Sequence, residues 1–208
     1  MKHPPAELRH YAELIAGAQA SITSIRDPDK LWDVHVKDAL SAVPVIEPLG
    51  ASDLVDVGSG GGSPGIPLGI VLGIPVTLVE SVGRKAAFLR ETCAALGLEA
   101  EVVEQRAEEF GRGAGRDRYP LATARALAPP AVAAELTLPL VRPGGHLVLW
   151  VGAVDRQAID VAAAELAAEV VAERGTGARR RLLVFRKLAP TPERFPRRTG
   201  VAARRPLA

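Results

Sequence analysis

The stretch that decides the fold is Asp53-Leu54-Val55-Asp56-Val57-Gly58-Ser59-Gly60-Gly61-Gly62-Ser63-Pro64-Gly65-Ile66-Pro67-Leu68. It opens as a short apolar strand, breaks into a run of glycines, and continues from Pro64 as a helix that can reach Leu72. A strand, a glycine turn and a helix in that order form the first half of a βαβ unit. Downstream, Pro75 to Val79 reads as a second strand and Arg84 to Leu96 as a helix ended by Gly97. Glu99 to Val103 is a third strand, and Leu121 to Thr123 a fourth, after the turn-rich segment Gly111–Tyr119. Pro130 to Val141 is a helix, His146 to Val151 a fifth strand, and Asp155 to Glu173 is helical. Arg180 to Arg186 is a final strand that pairs with one around Val170–Arg174. Strands alternating with helices predict an α/β fold with a mainly parallel sheet, helices on both faces and right-handed crossovers.

Upstream the period is that of helices. Residues 6–20 place Leu8, Tyr11, Leu14, Ile15 and Ala18 on one stripe. Asp27 is placed to cap a second helix with Pro28 at its first position, and that helix runs to about Val43. Pro44 and Pro48 are expected to end the region. From Arg186 onward Pro, Arg and Gly dominate, so the tail is expected to be extended rather than helical.

In a doubly wound sheet the ligand sits at the carboxyl ends of the strands, by the first strand–helix turn. Gly58, Gly60 and Gly62 fall there, two residues after Asp56, and let the backbone approach a ligand closely. Glu80 ends the second strand, where a carboxylate accepts both hydroxyls of a ribose. These features serve two cofactors. The G-x-G-x-G spacing after Asp56 suits S-adenosylmethionine. The shifted G-x-G-x-x-G of Gly60, Gly62 and Gly65 suits a dinucleotide.

Five segments go further. They are Thr23 to Leu40, with Arg26-Asp27-Pro28 and His35-x-x-Asp38; Asp56 to Gly60 running into Pro64-Gly65-Ile66-Pro67-Leu68; Arg106-Ala107-Glu108-Glu109; Ala124-Arg125-Ala126; and Pro190-Thr191-Pro192 with Phe195-Pro196-Arg197-Arg198-x-Gly200. In these segments residues 22–208 resemble the bacterial 16S ribosomal RNA guanine-N7 methyltransferases, the Pro-Gly-Ile-Pro-Leu extension being the most specific element. The resemblance implies a Rossmann-like seven-stranded methyltransferase sheet with an N-terminal helical extension. It implies three parts: the extension (1–48), an S-adenosylmethionine-binding domain (49–188) and a basic tail (189–208). It adds Ser63, Ala107 (through its backbone), Glu108 and Arg125 to the cofactor contacts Asp56, Gly58, Gly60, Gly62 and Glu80. The chain departs from that family's pattern at Ser21-Ile22-Thr23, at Ala39, at Ser63 and at Val151-Gly152. Family members there usually carry Asn-Leu-Thr, Ser, a large apolar residue and Lys-Gly.

Composition agrees with a nucleic-acid substrate. The 208-residue chain carries a net charge of +2, unevenly distributed. From Arg179 to Ala208 there are nine Arg and one Lys against Glu193 alone, a net +9, which leaves −7 for the rest. A cationic tail suits a polyanion. Arg26, Arg197, Arg198, Arg204 and Arg205 are the candidate RNA contacts. Cys93 is the only cysteine, so no intramolecular disulfide and no cysteine-rich metal site is expected, as befits a reducing cytoplasm. No metal is expected. Cys93 shares a helical stripe with Leu89 and Leu96 and reads as core. The apolar stretch from Ile66 to Val79 is too short to span a bilayer and is broken by Pro67 and Pro75. No membrane segment is expected, and the protein is expected to act as a monomer on 16S rRNA or the small ribosomal subunit.

Guanine N7 has a lone pair and no proton to lose, so its methylation needs positioning rather than a general base. His35, Asp38 and Arg125 are candidates for orienting the base. With aromatics at only 4%, recognition is expected to rest on phosphate contacts and RNA shape rather than base stacking. Three other readings fit the same residues: a small-molecule methyltransferase, a nicotinamide-dependent oxidoreductase, and a non-catalytic ribosome-binding protein.

Overall fold

The computed structural model describes residues 5–18, 22, 23, 25, 27–176 and 180–208. The chain forms two compact units, Met1–Glu104 and Gln105–Ala208. Together they supply the strands of a seven-stranded mixed sheet. The divisions expected at 48/49 and 188/189 fall inside these units, so the helical extension belongs to the first and the tail to the second.

The first unit begins with α1 (Ala6–Gly17), whose buried stripe is Leu8, Tyr11 and Ile15. The helix ends three residues short of the expected Ala20, and residues 19–21 lie outside those described. The Asp27 carboxylate accepts the N–H groups of Asp29 (3.0 Å) and Lys30 (3.2 Å), capping α2 (Pro28–Leu31) as expected. The expected single helix is instead three pieces. After α2 comes a π-helical segment, Trp32–Lys37, then α3 (Asp38–Leu40). Pro44 and Pro48 do not end the helical region. Pro44 lies in the first turn of α4 (Val43–Ile46) and Pro48 in that of the 3-10 turn Glu47–Leu49, positions where a missing N–H costs nothing.

Three parallel strands follow in the spatial order β3, β2, β1: β1 (Leu54–Val57), β2 (Val76–Val79) and β3 (Ala100–Val103). Every residue of β1 and β2 is buried, Asp56 and Thr77 included, as expected for mainly apolar strands of a parallel sheet covered on both faces. The crossovers are α5 (Gly65–Leu72) and α6 (Gly83–Leu96), the latter closed by Gly97. Cys93 packs in the buried face of α6, and burial pushes its thiol up to about 11, so it is core rather than nucleophile.

The second unit contains α7 (Ala107–Phe110), β4 (Tyr119–Arg125), α8 (Pro130–Thr137), β5 (Val141–Val151), α9 (Arg156–Glu165), β6 (Ala168–Gly175), β7 (Arg181–Lys187) and α10 (Val201–Arg204). Its strands lie in the order β4, β5, β7, β6, the first pair parallel and the others antiparallel. Two expectations are corrected here. The helix from Asp155 stops at Glu165, not Glu173, because the backbone from Ala168 pairs with β7 and tertiary pairing overrides the helical propensity of an alanine-rich segment. The tail is not wholly extended, since α10 forms one helical turn within it. Among the described residues no helix is long and apolar enough to cross a membrane.

Candidate functional site

The register of the first unit builds the site. Val57 lies opposite Val79, so the parallel strands β1 and β2 end side by side. The turn after β1 is stitched to the end of β2, where Gly58 N–H donates to the Val79 carbonyl at 2.8 Å. Glu80 follows directly, its own N–H bonded to Val103 of β3. Its carboxylate therefore emerges beside the glycine loop. One oxygen accepts the Gly60 N–H at 2.9 Å and the other the Val82 N–H at 2.8 Å. A carboxylate only 6% exposed would be costly without partners, and here each oxygen has one backbone donor and keeps a second lone pair. That arrangement can accept two hydroxyls of a vicinal diol.

Two glycines are required by contact. A Cβ on Gly62, where φ is +98°, would lie 2.5 Å from Ile66 Cδ1. A Cβ on Gly65 would lie 2.7 Å from Leu78 Cδ2 and 2.8 Å from Asp56 Cβ. Gly65 thus lets α5 close against β1 and β2. Asp56 is completely buried beneath this junction and Ser59 Oγ donates to its carbonyl at 2.9 Å, so it supports the loop from below.

The helical extension fastens the same loop from the other side. The Tyr11 hydroxyl donates to the Gly61 carbonyl at 2.9 Å. The Ser63 hydroxyl, expected at the cofactor, donates to the His35 carbonyl at 2.7 Å within the π segment. His35 is half-buried with Nε2 3.4 Å from Thr23 Oγ1, and half-buried Asp38 follows on the same helical run. Arg26 lies outside the described residues.

In the second unit Ala107 and Glu108 open α7. Glu108 is buried, and its carboxylate accepts the Gly200 N–H at 2.9 Å, tying α7 to the tail. Arg125 ends β4 half-buried. The tail is strapped down by groups that the sequence reading missed. Asp117 accepts the Thr191 N–H at 3.1 Å and its hydroxyl at 2.6 Å. Arg116 donates to the carbonyls of Phe195 (2.7 Å) and Thr191 (2.6 Å), and Arg112 to that of Pro196. Lys187 is buried, donates to Thr191 Oγ1 at 2.7 Å, and burial pushes its amine down to about 8 against the opposing effect of Asp117.

The expectation for Arg197 is corrected. Its guanidinium grips the Glu135 carboxylate with two nitrogens, one bond being 2.7 Å, and also bonds the Arg205 carbonyl. Glu135 is 1% exposed in α8, so Arg197 neutralises a buried charge and is not free for phosphate. A single acid within the apolar helix sequence Ala-Val-Ala-Ala-Glu-Leu was the signal that a cation must reach it. Arg198, Arg204 and Arg205 are exposed.

A sequence profile of the family described as rRNA small subunit methyltransferase G (GidB) matches residues 5–181. A protein of Rubrobacter xylanophilus named ribosomal RNA small subunit methyltransferase G is 43% identical, over 96% of this chain and 82% of its own. The protein of the same name from Chloroflexus aggregans is 37% identical, over 99% of this chain and 91% of its own. Among solved structures, the mitomycin 7-O-methyltransferase MmcR is similar with a TM-score of 0.58 at 16% identity, over 73% of this chain and 54% of its own. TrmN from Thermus thermophilus has a TM-score of 0.54 at 19% identity, over 72% of this chain and 48% of its own. At those identities the structures bear on the fold alone, and the fold is that of methyltransferases.

Proposed function

The chain belongs to the rRNA small subunit methyltransferase G family, and from that premise we propose that it methylates N7 of a guanine in 16S ribosomal RNA. The methyl donor is S-adenosylmethionine and the product S-adenosylhomocysteine. The enzyme works in the cytoplasm as a monomer, on ribosomal RNA or the small subunit. The observation that carries the cofactor assignment is the Glu80 carboxylate, buried at the end of β2, holding the Gly60 N–H and retaining acceptor capacity for a ribose diol.

The cofactor supplies an electrophilic methyl on a sulfonium. The chain's residues hold and orient. Glu80 takes the ribose hydroxyls, and the backbone of Gly58, Gly60 and Gly62 lets the loop lie against the ligand. Asp56 acts through the loop above it. Ala107, Glu108 and Arg125 are proposed as further cofactor contacts, and His35, Asp38 and Arg125 as groups that orient the base. No residue need remove a proton, because N7 attacks with a free lone pair. Rate then comes from alignment. A nicotinamide-dependent reading is not favoured: Gly65 completes a dinucleotide spacing, but its contacts serve helix–strand packing, and the family is one of methyltransferases.

The deciding experiment supplies tritiated S-adenosylmethionine and small subunits lacking the modification, followed by nucleoside analysis. Label in 7-methylguanosine is expected. Label transferred to metabolites without RNA would favour a small-molecule methyltransferase. RNA binding without turnover would leave a non-catalytic ribosome-binding protein.

A further inference from the structure

We propose that Tyr11 of the helical extension is a positioning residue for the cofactor loop, fixing it from outside through the Gly61 carbonyl. The inference rests on the reading of that loop as the S-adenosylmethionine site. Tyr11 is completely buried, on the same face of α1 as Leu8 and Ile15. Its ring therefore has a fixed place, and its hydroxyl reaches across fifty residues of sequence to donate to Gly61 at 2.9 Å.

The loop has no side chains of its own between Gly60 and Gly62, so its peptide planes must be set by outside partners. From the end of β2, Glu80 takes the Gly60 N–H, and within the turn the Ser59 carbonyl takes the Gly62 N–H at 2.7 Å. From the extension side, Tyr11 takes the Gly61 carbonyl, between those two points. Ser63 adds a fourth tie, to the His35 carbonyl. Ile22 also covers Gly61: a Cβ there would lie 3.4 Å from Ile22 Cγ2. A peptide held at its carbonyl by Tyr11 of α1, and at its own N–H by the Ser59 carbonyl, cannot flip without breaking both bonds. Pre-orienting a glycine run in this way lowers the ordering cost that a ligand would otherwise have to meet. The extension is thereby part of the cofactor site, although the hydroxyl of Tyr11 need touch no ligand.

The test compares Tyr11→Phe with wild type in the full chain, by calorimetric titration with S-adenosylhomocysteine, by melting temperature without ligand, and by steady-state methyl transfer. Removing one hydroxyl is expected to weaken binding about three- to tenfold, the worth of one hydrogen bond. KM for S-adenosylmethionine should rise similarly, with little change in kcat. Ile15→Val is the control, since it loosens the same face of α1 without touching the loop. If Ile15→Val lowers the melting temperature as much as Tyr11→Phe yet leaves affinity at wild type, the hydroxyl is what positions the loop. Equal weakening in both variants would mean general packing, and would overturn the proposal. Wild-type affinity in Tyr11→Phe would overturn it too. Failure of the wild-type protein to bind S-adenosylhomocysteine would instead overturn the cofactor reading on which the proposal rests.

Discussion

The two ends of the chain are both fastened onto their units, by opposite means. The N-terminal extension reaches the glycine loop through neutral hydrogen bonds, from Tyr11 to Gly61 and between Ser63 and His35. The C-terminal strap is held by charge. Arg181, Arg186, Lys187, Arg194 and Arg197 each pair with a carboxylate of the second unit: Glu173, Glu169, Asp117, Glu165 and Glu135. The difference shows that a cationic segment is not by that fact a nucleic-acid surface. Much of the +9 of residues 179–208 is met inside its own unit, by acids that contribute to the −7 of the remainder. Of the arginines proposed as RNA contacts, Arg198, Arg204 and Arg205 stay exposed.

The sharpest way to break this comparison is Arg197→Ala. The variant leaves the Glu135 carboxylate, 1% exposed, without its cation. Removing one partner of a buried pair costs about 3–5 kcal/mol, and because Arg197 is itself 24% exposed, about 3 kcal/mol is expected. Urea denaturation measures it. A loss below about 1 kcal/mol, the size of a surface pair, would show that the strap is not held from within. The doubly apolar Glu135→Leu/Arg197→Met should recover much of the loss, since no buried charge remains.

The corresponding variant at the loop is Glu80→Ala. Loss of charge-assisted hydrogen bonds should weaken S-adenosylhomocysteine by about 1–3 kcal/mol, read by calorimetry. The Gly60 and Val82 N–H groups lose their acceptor as well, so part of the effect is a loosened loop. Glu80→Gln separates the two contributions, because its amide oxygen can still accept one of those N–H groups. Normal binding in Glu80→Ala would assign the ribose to another carboxylate.

Legibility follows the same division. The glycine loop, Glu80, the cap at Asp27 and the first four strands are local patterns, and the structure has them within a residue or two of where the period and the turn residues put them, whereas β5 begins at Val141, five residues before the expected His146. Several ties of the strap join partners 62 to 92 residues apart, such as Glu135 with Arg197 and Glu108 with Gly200, and no local spacing encodes such a meeting. Glu108 shows the cost. A residue read as a cofactor contact spends one oxygen on the tail, so its carboxylate has a structural bond whatever else it does. The end of α9 was misplaced for a related reason, since Ala168–Gly175 is a strand only because β7 lies beside it. Tyr11 was read as one member of a helical stripe, and nothing in its spacing revealed where its hydroxyl would go.

A pH series probes the middle of the strap. Lys187 has a folded-state value near 8, depressed by burial from 10.5. A depressed amine means that the unfolded chain binds the extra proton between those values, so stability should rise with pH across that window. Below pH 8 the amine is protonated in both states, and the cost of burying it is fully present. Lys187→Met should flatten the wild-type slope between about pH 8 and 10.5, a change on the order of 1 kcal/mol once Asp117 and solvent relaxation are allowed for. Identical slopes in the two proteins would mean that the amine is not held desolvated.

The smallest effect on the fold is expected from neutralising Arg198, Arg204 and Arg205 together. All three are exposed, and among the described residues none of their side chains is paired with a carboxylate; the Arg204 guanidinium donates only to the Gly200 carbonyl, one helical turn away. Stability should therefore stay within about 0.5 kcal/mol of wild type, in contrast to Arg197→Ala. RNA affinity should fall, and the log–log dependence on salt should flatten by close to one unit for each phosphate contact removed. Filter binding to 16S rRNA over a salt series measures both quantities. If the triple variant unfolds early, these arginines belong to the strap after all, and the line drawn between inward and outward cations is misplaced. If stability, affinity and salt slope all match wild type, the outward arginines are solvated surface, and RNA must be held by some other part of the molecule.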